Sequence, residues 1–193
     1  MRHFIILFFI ILPEFLFSQD DANSFNSKTV FNEGIYTTLS EVLSNSPKYH
    51  DCRFETKVDF WFGDKMSIFY FDTSGTRHEF NDTILFVVEE GIRYVNYKNH
   101  ICKLILTGAI STFYIEKTAV YSNQSSYTET NLFFWDIQTG IMDKVNITKL
   151  DGILKRDNSI YSIYSGVSDA VKKKTLYSYI LKYNAYNPIY MNN

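Results

Sequence analysis

Residues Thr83–Lys117 read TILFVVEEGIRYVNYKNHICKLILTGAISTFYIEK. Four apolar-rich runs lie in this stretch: Ile84–Glu89, Ile92–Tyr97, Ile101–Leu106 and Ile110–Lys117. They are separated by Glu90-Gly91, Lys98-Asn99 and Thr107-Gly108. Such short breaks join strands that are antiparallel neighbours, because a parallel pair needs a crossover of a dozen or more residues. The stretch therefore predicts a meander at the centre of a twisted sheet, and it carries no catalytic signature.

Strand patterning continues on both sides. Upstream, Phe54, Thr56, Val58 and Phe60 alternate with Glu55, Lys57, Asp59 and Trp61, and Gly63-Asp64 is a turn signal. Lys65–Asp72 returns, Thr73-Ser74-Gly75 turns again, and Thr76–Phe80 forms a shorter strand. Downstream, Ala119–Thr130 is polar and reads as a hairpin or loop; Asn131–Ile137 is a strand that Gln138-Thr139-Gly140 turns into Ile141–Val145.

The character changes to helix at Asn146. Asn146 or Thr148 can cap a helix running to Arg156, and Asp157 or Ser159 one that ends near Gly166. Ser168 or Asp169 begins the last, Ala170–Tyr183, with an apolar stripe of Val171, Leu176, Ile180 and Tyr183 and with Pro188 beyond its end. Lys172–Lys174 reads first as a solvated helix face, and a membrane- or polyanion-binding role is the lesser alternative. Before the strands, Ser40, or Thr37 or Thr38, caps a short helix ahead of Pro47. The fold class is α+β: one twisted antiparallel sheet or partly closed barrel, with C-terminal helices packed on it.

The N-terminus, MRHFIILFFIILPEFLFSQDD, has a short positive region, an unbroken apolar run Phe4–Leu12, then Pro13 and the small Ser18. That is the layout of a secretory signal peptide, with cleavage expected after Ser18. The run is too short for a transmembrane helix, which needs ~20 residues. The expected organisation is a signal peptide over 1–18, a flexible leader over 19–33, one β-rich domain with its helices over 34–187 and a tail over 188–193. Export to the periplasm, the cell surface or beyond follows, with no transmembrane segment in the mature chain.

The formal charge of -2 gives no footprint for nucleic acid. Aromatic residues make up 18% of the chain, which favours strands and supplies material for a core. The two cysteines, Cys52 and Cys102, are compatible with a disulfide in an oxidising compartment and equally with two small core residues.

The opening GIYTTLSEVLSNSP resembles that of a group of uncharacterised exported proteins from Bacteroidota-type bacteria. The matching positions are Gly34, Ile35, Tyr36, Glu41, Asn45 and Pro47. The hairpin and Gly-led strand YVNYKNHICKLILTGAISTFY is similar too, although Asn96-Tyr97 stands where the group has Asp-Gly. So is the tail LDGILKRDNSIYSIYSGVS…YSYILKYNAYNP, with Leu150, Tyr183 and Asn184 as landmarks. The resemblance implies export and brings no assigned activity, cofactor or site.

Candidate chemistry is sparse. His50-Asp51-Cys52 contains a nucleophile and a base by type, and on a strand His50 and Cys52 could share a face while Asp51 would not, but the favoured reading is a loop histidine entering a strand with a packed or bridged cysteine. His78-Glu79 has no partner at metal spacing, and His100 falls at a hairpin. No HExxH, CxxC, GxSxG or Gly-rich phosphate loop occurs, so no cofactor is expected. The acids Asp59, Asp64, Asp72, Glu79, Glu89, Glu90, Glu116 and Asp136 are scattered. A glycosidase needs two of them about 5–9 Å apart. Asp59 and Asp136 would frame a sugar if Trp61 and Trp135 stacked on it, whereas the plainer reading puts both tryptophans in the core. Asn81, Asn123 and Asn146 each head an Asn-x-Ser/Thr triplet. The reading favoured is a noncatalytic module that binds an envelope protein or small ligand. A structural subunit of a surface assembly and a hydrolase acting on glycans or peptides are the alternatives.

Overall fold

A computed structural model describes residues 24–50, 52–59, 63–72, 74–80, 83–120 and 126–192; of 52–59, 63–68, 117–120 and 126–127 it describes the backbone alone. The expected signal peptide, Trp61, Asp51, Asn81 and Asn123 lie outside these residues. The strands are β1 (Gly34–Tyr36), β2 (Cys52–Asp59), β3 (Gly63–Phe71), β4 (Arg77–Glu79), β5 (Phe86–Glu89), β6 (Ile92–Tyr97), β7 (His100–Leu106), β8 (Ile110–Val120), β9 (Ser126–Asp136) and β10 (Met142–Lys144). The helices are α1 (Leu39–Leu43), α2 (Ile147–Leu154), α3 (Asn158–Ser165) and α4 (Asp169–Tyr186).

The expected α+β architecture is present. Seven strands in the order β1-β5-β6-β7-β8-β9-β10 make a strongly curled antiparallel sheet, a half-barrel, and the C-terminal helices pack on it. The meander is its centre, β5 to β8, and β9 continues it. Lys98 and Asn99, with φ of 51° and 66°, make the tight turn between β6 and β7 whose twist matches the strands. Between β7 and β8 the register shifts from Leu104↔Phe113 to Leu106↔Thr112. The extra residue, Ile105, is a bulge, and bulges raise local twist where a sheet curls. β2, β3 and β4 form a separate three-stranded sheet.

Of residues 119–130, expected as a polar hairpin or loop, those described are strand and form the arms of a hairpin. β8 reaches Val120 and β9 starts at Ser126, paired through Val120↔Ser126. The ladder needs only backbone groups, so polar side chains such as Glu116 and Thr130 continue it on an exposed ribbon.

The sheet is covered on both faces. The concave face carries Tyr36, Phe86, Val88, Val95, Cys102, Leu104, Phe113, Phe133 and Trp135. Phe25, Phe31 and Val42 of α1 close over it. The stretch 24–33, read from sequence as part of a flexible leader, thus supplies core residues. It is held by Arg93, which donates to Ser27 O at 2.7 Å and to Thr107 Oγ1 at 2.8 Å. The tail joins in: Phe25 N–H donates to Ile189 O at 2.6 Å, and Asn192 N–H to Leu43 O at 2.7 Å. On the convex face, Ile35 and Val87 lie under Tyr49, Phe80 and Ile84. Tyr49, tilted, and Phe80, edge-on, also pack against the ring of Tyr70 of β3, which ties the small sheet to the large one.

At the other end of the convex face Ile110 and Phe134 pack under Leu150, Ile153, Leu154, Ile160, Tyr164, Ile180 and Tyr183. Local chemistry sets the helix starts. Asn146 Oδ1 accepts from Lys149 N at 2.9 Å, and Asp157 Oδ1 from Ser159 N at 2.9 Å. α1 is capped by Thr38 rather than Ser40, because Glu41 completes a reciprocal capping box with Thr38. α4 differs from its expected stripe. Ile180 and Tyr183 are buried and Leu176 half-buried as expected, but Val171 is 48% exposed and Lys172 is buried. Lys172 Nζ lies over the Tyr164 ring at 4.6 Å and its stem covers apolar surface there. Among the described residues no helix is long and apolar enough to cross a membrane.

Candidate binding site on the concave face

Among the described residues, those singled out by type form no group larger than a pair. Trp135 is fully buried, with Phe25 edge-on at 6.4 Å and Phe86 at 6.2 Å. Its neighbour Asp136 points to the opposite face, as successive strand residues must. There Asp136 is 2% exposed and accepts two bonds from Arg156, at 3.1 and 2.7 Å. It also accepts from Thr139 Oγ1 at 2.6 Å and Gln138 N at 3.2 Å. This pairing raises the Arg156 pKa. Asp136 therefore anchors the helices, and Asp59 belongs to the other sheet.

Cys102 is a free, buried thiol that donates to His100 O at 3.6 Å, and burial pushes its pKa up to about 11. A thiol held neutral in this way is a poor nucleophile. Cys102 is thus unbridged among the described residues, and the Cys52 side chain, the other half of the expected bridge or pair of packed thiols, lies outside what is described. His50 and His100 are exposed.

Asp72 and His78 make one close pair, 2.8 Å apart, with the His78 ring stacked on Tyr70. Asp72 also accepts from the Ser74 hydroxyl and from the Ser74 and Thr76 N–H groups. The Ser74 hydroxyl first, then His78 and Thr76, hold this carboxylate well below its usual range. Ser74 donates to Asp72 and not to His78, so the three form the hub of a turn rather than a nucleophile relay. Among the described residues no three metal-ligating side chains group together.

What the fold does bring together is aromatic. Pairing of β8 with β9 sets Ser111 against Trp135, Phe113 against Phe133 and Ile115 against Asn131, all on the concave side. Tyr97 of β6 completes a triangle, 5.8 Å from Phe113 and 5.1 Å from Phe133, while Phe113 and Phe133 stack at 5.7 Å. Phe25 covers the Trp135 end of this face. At the far end Tyr97, Ile115 and Asn131 are only half-buried. The result is an aromatic cluster in which Phe113 and Phe133 are buried and Tyr97 is half-buried at the edge, beside Ile115 and Asn131.

Sequence reasoning missed Tyr97, Phe113 and Phe133. The alternation Phe113-x-Ile115 and Asn131-x-Phe133-x-Trp135 was the available signal, but it places residues on a common face without saying which face is concave. Comparison with family models, with curated proteins and with solved structures finds no match to this chain.

Proposed function

We propose that this is a noncatalytic binding module of the cell envelope, holding an apolar or aromatic group of a small ligand or partner protein at the Tyr97 end of its curled sheet. The observation that carries the reading is the Tyr97–Phe113–Phe133 triangle, whose Tyr97 edge is half-buried beside Ile115 and Asn131 while Phe25 covers the Trp135 end of the same face. Such a cluster supplies burial and ring stacking, and Asn131 at its edge supplies a hydrogen-bonding group. The signal-peptide layout of the N-terminus supports an envelope or secreted location.

The test is direct. Protein purified without denaturation is titrated with an apolar fluorescent probe, anilinonaphthalene sulfonate, and its co-purified small molecules are read by mass spectrometry. Saturable probe binding is expected, with Tyr97→Lys weakening it and leaving the thermal transition in place. Absence of saturable binding, or equal binding by the variant, defeats the proposal.

A further inference from the structure

Charge is unevenly distributed along this chain. Segment 146–187, which contains α2, α3 and α4, has seven Lys or Arg and three Asp, a net of +4; the remainder therefore carries -6 in a chain of net -2. Several of the cations are matched at home. Arg156 meets Asp136, Lys155 meets Asp151, Lys149 meets Asp143, and Lys172 meets Asp169 and the Tyr164 ring. Lys173, Lys174 and Lys182 are exposed and have no ion pair among the described residues.

Those three lysines accompany a second apolar stripe. At 3.6 residues per turn, Leu176, Tyr179, Ile180 and Tyr183 face the sheet. Ala170, Lys174, Tyr177, Leu181 and Ala185 line up on the other side. All five are exposed, Tyr177 by 38% and Leu181 by 44%. Val171, 48% exposed, lies on the border of this stripe. α4 thus has apolar residues on two faces, one docked and one turned outward among lysines.

We propose that the outer face of α4 docks on an anionic lipid surface. The pattern of a few aliphatic and aromatic residues set among lysines suits shallow entry at the headgroup boundary, with the lysines near the phosphates. The charge distribution sets the orientation, because an anionic surface attracts the face that carries the unpaired Lys173, Lys174 and Lys182 and repels the acidic remainder. A protein partner fits less well. Two large residues, Tyr177 and Leu181, fall short of the core needed in a stable interface of about 800 Å² per partner.

The experiment is co-sedimentation of the purified chain with vesicles of phosphatidylglycerol and phosphatidylcholine, and with vesicles of phosphatidylcholine alone, at low and high salt. Binding to the anionic vesicles only, weakened by salt, is expected. Reversing all three charges (Lys173→Glu, Lys174→Glu, Lys182→Glu) should lower partitioning by on the order of 100-fold with the melting transition unchanged. Leu181→Ser should lower it less. No binding to anionic vesicles, equal binding to both kinds, or an unaffected triple variant overturns the proposal. Tyr97→Lys should leave vesicle binding intact, which separates this face from the concave site.

Discussion

The side-chain amide of Asn184 on α4 acts as a strand partner for Ile110 on β8. Ile110 N–H donates to Asn184 Oδ1 at 2.7 Å, and Asn184 Nδ2 donates to Ile110 O at 2.9 Å. The amide reaches the backbone because Gly108 has no side chain: a Cβ there would stand 2.5 Å from Asn184 Nδ2. One residue on the last helix thereby fixes the helical layer to the β7–β8 turn.

The first prediction tests that clasp. Gly108→Ala should cost about 1–3 kcal/mol by crowding. Asn184→Ala should cost about 1–3 kcal/mol by leaving two backbone groups of Ile110 unpaired. The double variant should lose less than the sum, because removing the amide also removes the clash. Urea melts of the four proteins measure this, and strict additivity would refute the clasp.

Arg156 and Asp136 give the second. Arg156→Met strands a carboxylate that is 2% exposed, so a loss of about 3–5 kcal/mol is expected in urea unfolding. Adding Asp136→Leu should recover most of it, since a well-packed apolar pair often replaces a buried ion pair at little cost. A double variant as unstable as Arg156→Met alone would contradict this account.

The third concerns Gly34. Its φ is 143°, and a Cβ would meet Tyr49 O at 2.3 Å and Pro47 Cβ at 2.8 Å. Both the backbone conformation and the close approach exclude a side chain. Gly34→Ala should fail to accumulate as folded protein, whereas Gly152→Ala, on α2 where nothing lies within 4 Å, should accumulate. Soluble yield and circular dichroism check the contrast.

Alkaline pH supplies the fourth. Burial raises Cys102 from 9.0 to about 11, Tyr164 from 10.0 to about 12, and Tyr183 in the same direction. The folded chain keeps these protons after the unfolded chain has released them. Stability should therefore be flat with respect to these groups below about pH 9 and fall as pH rises from there towards 12. Cys102→Ala should remove the part of the slope between pH 9 and 11. Urea melts across this range read the effect, and a stability that rises with pH over it would contradict the burial of these groups.

α4 provides the fifth. Ile180 is fully buried, so Ile180→Asp should cost more than about 4 kcal/mol and accumulate poorly. Lys173→Glu on the exposed face should shift stability by under about 0.5 kcal/mol. Thermal melts of both variants check the sidedness of the helix.

The residues that carry the sequence resemblance all have structural work. Tyr36 donates its hydroxyl to Asn32 O at 2.7 Å and to Asn45 Oδ1 at 3.0 Å. Glu41 takes the Thr37 N–H at 2.6 Å, and Pro47 crowds Gly34. Leu150 and Tyr183 are core residues, and Asn184 is the clasp. Together these residues fix how the ends of the chain fold onto the sheet.

What the sequence determined by itself is what neighbouring residues settle between them. Alternation with period two and paired turn residues placed β6 without error and β7 to within one residue. The caps at Asn146 and Asp157 were legible because an N-cap acts within three residues of itself. The tertiary structure decided the rest. Phe25 and Phe31 sit in a polar stretch with no periodicity, and only the curvature of a sheet about 60 residues further on makes a place for them. Lys172 is covered and Val171 exposed because the crossing of α3 and α4, not the spacing of apolar residues, fixes which side of α4 meets Tyr164. Asp136 and Arg156, 20 residues apart, become partners only once the helices lie on the convex face. Burial and charge pairing depend on which surfaces meet, and that is a property of the whole chain rather than of any window within it.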